Sequence, residues 1–119
     1  MTPQDPVIYE KRGDALSALG LLGDAVYAYT VSANLAPTNG AIFEKLGTAQ
    51  VANGQLAAGI YSLTVAVNLV PTSGLYKLHL GEAQYAAGMH DAARYTFTWA
   101  MANDPSLTSY IYAVYGDLF

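Results

Sequence analysis

The stretch from Asn39 to Pro71, NGAIFEKLGTAQVANGQLAAGIYSLTVAVNLVP, reads as two helices joined at a glycine. Within about Gly40–Ala52, the residues Phe43, Leu46, Gly47 and Gln50 recur at three- and four-residue steps, the period of an α-helix. Gly54 breaks that helix. A second runs from about Leu56 to Leu69, with Gly59, Leu63 and Ala66 on its inward face, and Pro71 ends it. Asn39 and Ser73 stand where the following helices need amino-terminal caps. No alternation of the β type competes with this pattern.

The same unit recurs on both sides. Pro37, Pro71 and Pro105 are 34 residues apart, as are Gly13, Gly47 and Gly81. Gly20, Gly54 and Gly88 repeat the spacing, and so do Ala15, Ala49 and Ala83. A period of this length marks a stacked array of one supersecondary unit. Its physical logic is close packing. Gly47 lies mid-helix, where glycine costs about 1 kcal/mol relative to alanine. That cost is tolerated where a neighbouring helix must come near. Gly59, and Ala25 and Ala93 at the same place, permit the matching approach, and Tyr29, Leu63 and Phe97 fill the space between hairpins.

The pattern resembles the tetratricopeptide repeat family, which places an aromatic, leucine, glycine, tyrosine, alanine, aromatic, alanine and proline at set points in 34 residues. The second repeat supplies Phe43, Leu46, Gly47, Gln50, Gly59, Leu63, Ala66 and Pro71 in that order. The first supplies Tyr9, Arg12, Gly13, Leu16, Ala25, Tyr29, Ser32 and Pro37, and the third Lys77, Leu80, Gly81, Gln84, Ala93, Phe97, Ala100 and Pro105. Arg12, Ser32 and Lys77 depart from the pattern. The resemblance implies an all-α, right-handed solenoid in one domain over residues 1–119. Its repeats fall at about 6–39, 40–73 and 74–107, with a capping or docking helix over 108–119. That last segment is apolar on nearly all sides.

The resemblance also implies where a partner sits. First helices line a concave groove and second helices form the convex back. Family spacing puts Glu10, Asp14, Glu44, Thr48, Val51, Leu78, Glu82 and Tyr85 in the groove, with Tyr112 continuing the line. Some relatives clamp a partner's terminal carboxylate with lysines and asparagines; here acid would face acid. A mildly basic or amphipathic protein or peptide segment is the expected partner. The convex positions carry aromatic and β-branched residues, Tyr61, Val65 and Trp99 among them, which are poor helix formers when exposed. Either a partner covers them, or tilted helices bury them within their own stack. Together with Tyr110, Ile111, Val114, Tyr115 and Phe119 of the last helix, they mark a second expectation. The chain itself would be the partner, stacking head to tail through an interface that does not close on itself.

Composition narrows the remaining classes. Among 119 residues only 12% are charged, the net charge is −4, and the five basic residues are scattered. No basic stripe exists to neutralise several phosphates, so nucleic-acid binding is not expected. There is no cysteine, hence no thiolate ligand or thiol nucleophile. No apolar run is long enough for a membrane span. Residues 1–6, MTPQDP, lack the basic and apolar segments of a secretory leader, which favours the cytoplasm, although a mature secreted chain would look alike. His79 and Glu82 share a helix face without a third ligand, too few for a metal site. Glu10, Asp14 and Glu82 read as solvated groove charges, and no nucleophile or phosphate-loop motif is present. The expectation is a non-enzymatic scaffold without cofactor or metal.

Overall fold

The structure, a computed structural model, describes residues 4–119. Met1, Thr2 and Pro3, which begin the stretch read for a leader, lie outside the described residues. Seven α-helices follow in order: α1 (Pro6–Ala18), α2 (Leu22–Leu35), α3 (Gly40–Ala52), α4 (Leu56–Leu69), α5 (Gly74–Ala86), α6 (His90–Asn103) and α7 (Thr108–Tyr115). Consecutive helices pair as hairpins α1–α2, α3–α4 and α5–α6, and the hairpins stack into an elongated solenoid of 54 × 26 × 21 Å. Among the described residues there is no strand, and no helix is long and apolar enough to cross a membrane.

Local chemistry sets the helix limits. Asn39 Oδ1 accepts from the backbone N–H groups of Ala41 and Ile42, and Ser73 Oγ accepts from Tyr76 N–H. Each satisfies donors that the first helical turn leaves unpaired. Inside the hairpin, Gly54 adopts φ +82°, open to glycine at little cost. There Gly54 N–H reaches Val51 O and Gln55 N–H reaches Gln50 O, the double closure of a Schellman motif. Gly20 and Gly88 repeat the turn.

Packing depends on the mid-helix glycines. A Cβ on Gly47 would lie 2.6 Å from Leu63 Cγ. On Gly13 it would lie 2.5 Å from the Tyr29 ring, and on Gly81 2.6 Å from the Phe97 ring. Ala25, Ala93, Leu63 and Phe97 are buried in the resulting core.

The three departures from the repeat pattern are each accommodated. Ser32 is buried, and its hydroxyl donates to Pro6 O at 2.7 Å, tying α2 to the start of α1. The Arg12 guanidinium lies over the Tyr9 ring. Lys77 stands where an aromatic is usual and is only 1% exposed. Its Nζ lies 3.8 Å from the centre of the Trp99 ring and donates to Pro71 O and Asn103 Oδ1. Burial without a carboxylate partner pushes its pKa below the usual lysine value.

The terminal segment departs from expectation. Helix α7 ends at Tyr115, and Gly116–Leu118 form a 3₁₀ turn instead of continuing it. Gly116 and Asp117 are both weak helix formers, which accounts for the early stop.

Replacing Gly47 with alanine tests the packing. Intrinsic propensity alone would stabilise α3 by about 1 kcal/mol. The collision with Leu63 should outweigh this, and Gly47→Ala should lose about 1–3 kcal/mol in urea denaturation. An unchanged or higher midpoint would show that α3 and α4 are not pressed together there.

Candidate functional site: a polar ladder across the first helices

Polar side chains join each first helix to the next. Lys45 Nζ on α3 meets Glu10 Oε2 on α1 at 2.8 Å and Asp14 Oδ2 at 3.1 Å. One repeat on, His79 Nδ1 on α5 lies 2.5 Å from Glu44 Oε1 on α3. Glu44 occupies the repeat position of Glu10, and His79 that of Lys45. One repeat further the same positions hold Leu78 and Ala113, and the link changes character. Glu82 on α5 instead accepts from the hydroxyls of Tyr110 at 2.8 Å and Tyr115 at 2.7 Å, both on α7. Tyr85 donates to Asp117 at 3.2 Å.

The charges of this face are coupled. Burial raises the Asp14 pKa, but hydrogen bonds from Tyr29 and Lys45 and the lysine charge outweigh it, leaving the carboxyl below its usual value. Burial likewise works against the Lys45 charge, and the carboxylates of Glu10 and Asp14 overcome it, so its pKa is raised. Close contact with the Glu44 carboxylate raises His79 against the opposing effect of burial, with the charges of Glu44 and Glu82 adding to the rise. Its Nδ1 is shut off from solvent, and among the described residues its close approach to Glu44 is an ion pair without the geometry of a hydrogen bond. Burial and the bond to Glu82 push the Tyr115 hydroxyl well above its ordinary value.

Most of the expected groove residues share this face. Glu10, Asp14, Glu44 and Glu82 are partly buried in the ladder, Thr48 is exposed between them, and Val51 and Tyr85 are half-buried beside it. Tyr112 is exposed, with its ring edge-on to Phe119. Leu78 is corrected. At 6% exposure it is in the core with Ala93, Phe97, Ala100 and Ile111, because its neighbour across the stack is apolar α7 and not a basic side chain.

The second set divides. Ile111 is fully buried in that same core and cannot meet another copy. Tyr115 is also turned inward, stacked on Phe97 with ring centres 4.6 Å apart, and Tyr110 is tied to Glu82. Apolar α5–α6 drew these side chains in as it would draw a further hairpin. Val114 and Phe119 are exposed at the end of the stack, Val65 is half-buried, and Trp99 partly covers Lys77. Tyr61 is 72% exposed on the outer side, with Tyr27 at 70% and Tyr95 at 73% in the same column. The tilt that would have buried these tyrosines does not occur.

Lys45 was missed as a ladder residue. Its signal was the matched 34-residue spacing of Glu10 with Glu44 and of Lys45 with His79. Among the described residues no group of three His, Cys, Asp or Glu side chains is placed to hold a metal ion.

Three hairpins related by one repeat, each closed at a glycine against a large residue, decide the architecture. The chain has the tetratricopeptide-repeat fold. No family model and no curated protein matches the sequence. Solved structures do match. The first TPR domain of Spaghetti (RPAP3), bound to the HSP90 peptide SRMEEVD, superposes with a TM-score of 0.81 at 17% identity. That match covers 88% of this chain and 83% of the other. The Sgt2 TPR domain from Aspergillus fumigatus gives 0.80 at 18% identity, over 87% and 68%. MamA from Desulfovibrio magneticus RS-1 gives 0.82 at 26% identity, over 87% of this chain and 59% of its own.

The His79 rung makes stability depend on pH. A histidine whose folded pKa lies above the ordinary 6.5 stabilises the fold fully below that pH, and the contribution is lost as pH rises through the folded value. Urea midpoints at about pH 5.5 and about pH 8.5 should show wild type losing about 0.2–1 kcal/mol that His79→Gln does not lose. Equal pH dependence in both proteins would remove the rung.

Proposed function

We propose that this chain is a non-enzymatic interaction scaffold whose first-helix face holds a basic, amphipathic peptide or helix segment. The observation that carries this reading is the charge of the ladder. Glu10, Asp14, Glu44, Glu82 and Asp117 stand on or beside it, against Lys45, a titrating His79 and the charge of Lys11 near Asp14. The RPAP3 domain is bound to SRMEEVD, an acidic peptide. A face lined by carboxylates selects for the opposite charge, because acid placed against acid costs binding energy. The half-buried Val51 and Tyr85 beside the acids supply apolar contact for the other side of an amphipathic segment.

Fluorescence anisotropy with two labelled peptides, one alternating lysine with leucine and one alternating glutamate with leucine, tests the reading. The lysine peptide should bind, weaken with added salt, and lose about tenfold in affinity with Glu44→Lys. Tighter binding of the glutamate peptide, or no binding of either, would overturn it.

A second reading is self-assembly, favoured by the exposed column Tyr27, Tyr61 and Tyr95 on the outer face. Val7 and Ile8 are exposed at one end of the stack, and Val114 and Phe119 at the other. Ends that pair head to tail give open filaments. Light scattering over a concentration series should show growth that Phe119→Lys reduces. A monodisperse monomer at high concentration would reject this reading.

A further inference from the structure

Two cavities open between successive hairpins on the ladder face, and their linings are one repeat apart. The first, about 230 Å³, is lined by Ser17, Tyr29, Lys45, Thr48 and Ala49, together with Leu22, Glu44 and Ala52. The second, about 220 Å³, is lined by Val51, Leu63, His79, Glu82 and Ala83 at the repeat positions of the first five, together with Thr48 and Ala52. The substitutions change its chemistry. Val51 for Ser17 and Leu63 for Tyr29 give the second cavity an apolar floor, and Thr48, His79 and Glu82 give it polar groups.

The same register defines a third site between α5–α6 and α7, where Glu82, Tyr85 and Phe97 take the places of Thr48, Val51 and Leu63. There the chain's own Tyr115 fills the space. Its ring stacks on Phe97 at 4.6 Å and meets the edge of Tyr85 at 5.0 Å, and its hydroxyl donates to Glu82 Oε2 at 2.7 Å. The protein thus shows which kind of side chain this kind of site accepts: an aromatic ring on an apolar floor, with its phenol directed to a polar group at the rim.

We infer that the cavity between the second and third hairpins is an anchor site for one aromatic side chain, tyrosine above all, of a basic partner segment. The inference rests on the peptide-groove reading and specifies what that groove selects. Size agrees with it. A cavity of about 150 Å³ lined by aliphatic and aromatic residues already binds benzene, and small-molecule sites begin near about 300 Å³. The intermediate volume of this cavity suits one ring. Charge agrees as well. Glu82 lines the cavity and Glu44 lies on the adjoining rung, so lysine or arginine beside the aromatic residue meets carboxylates. The first cavity, with Lys45 and the Tyr29 ring in its wall, is less suited to such a side chain.

Three probes test the proposal on the full chain: the peptides KKYKK and KKAKK, and p-cresol as the bare side chain. Methyl resonances of Val51, Leu63 and Leu22 are followed by NMR. KKYKK should bind about tenfold more tightly than KKAKK. KKYKK and p-cresol should both shift Val51 and Leu63 while leaving Leu22, in the first cavity, unmoved. Thr48→Phe, at an exposed position on the cavity lining, should remove most of the tyrosine advantage, with circular dichroism confirming the fold. Tyr115→Ala, if it retains its helicity, should gain a further p-cresol site beside Phe97. Equal affinity of the two peptides with unmoved Val51 and Leu63 would overturn the anchor and leave the basic groove standing. Binding of p-cresol at Val51 and Leu63 without binding of either peptide would leave a ring-accepting cavity but reject both the groove and its use by a basic segment. Silence from all three probes would reject both.

Discussion

At one position of each repeat a glycine lets a large side chain lie directly against helix backbone. Gly13 faces Tyr29, Gly47 faces Leu63 and Gly81 faces Phe97, each without room for even one added carbon. Everything larger follows from this approach. Helices so near to one another must place their large residues in register, or the core would hold voids that cost stability. That register, carried through 34 residues, brings each first helix beside the next. The polar ladder is a consequence of that proximity. Lys45 reaches Glu10, and His79 reaches Glu44, because the helices carrying them have already been brought together.

The stack is regular in its backbone and graded in its chemistry. The first rung is a lysine between two carboxylates, the second a histidine against one, and the third a pair of tyrosine hydroxyls on Glu82. Permanent charge thus gives way to titratable charge and then to neutral donors. The cavities follow the same trend, from a mixed lining to a mainly apolar one to a site filled by Tyr115. A uniform solenoid would offer a ligand equivalent places along its length. This one distinguishes them, which is what a surface needs in order to hold a segment in one register and direction.

The helical hairpins were legible because their determinants are local and repeated. Gly54 at a left-handed turn, Asn39 and Ser73 as caps and Leu63 against Gly47 each act within one hairpin. Residues whose role depends on the next repeat were harder to place. Leu78 stands at the position of Glu10 and Glu44, so spacing put it in the groove. What buries it is the apolar core that α5, α6 and α7 form together, where it packs with Phe97 and Ile111. Ile111 and Tyr115 read as an outward apolar face because a helical wheel does not show how far the preceding hairpin draws them in. Lys77 carried the least information of all. Its burial is compensated by Trp99, Asn103 and the Pro71 carbonyl, partners that converge on it only in the folded chain.

The most direct measurement is of the glycine contacts themselves. Nuclear Overhauser effects should connect the α-protons of Gly13, Gly47 and Gly81 with the side chains of Tyr29, Leu63 and Phe97 in turn. Close helix approach requires all three to be strong and similar in intensity. Strong helical signals without these three contacts would mean that the helices form but do not nestle, and the ladder and cavities built on that approach would have no basis.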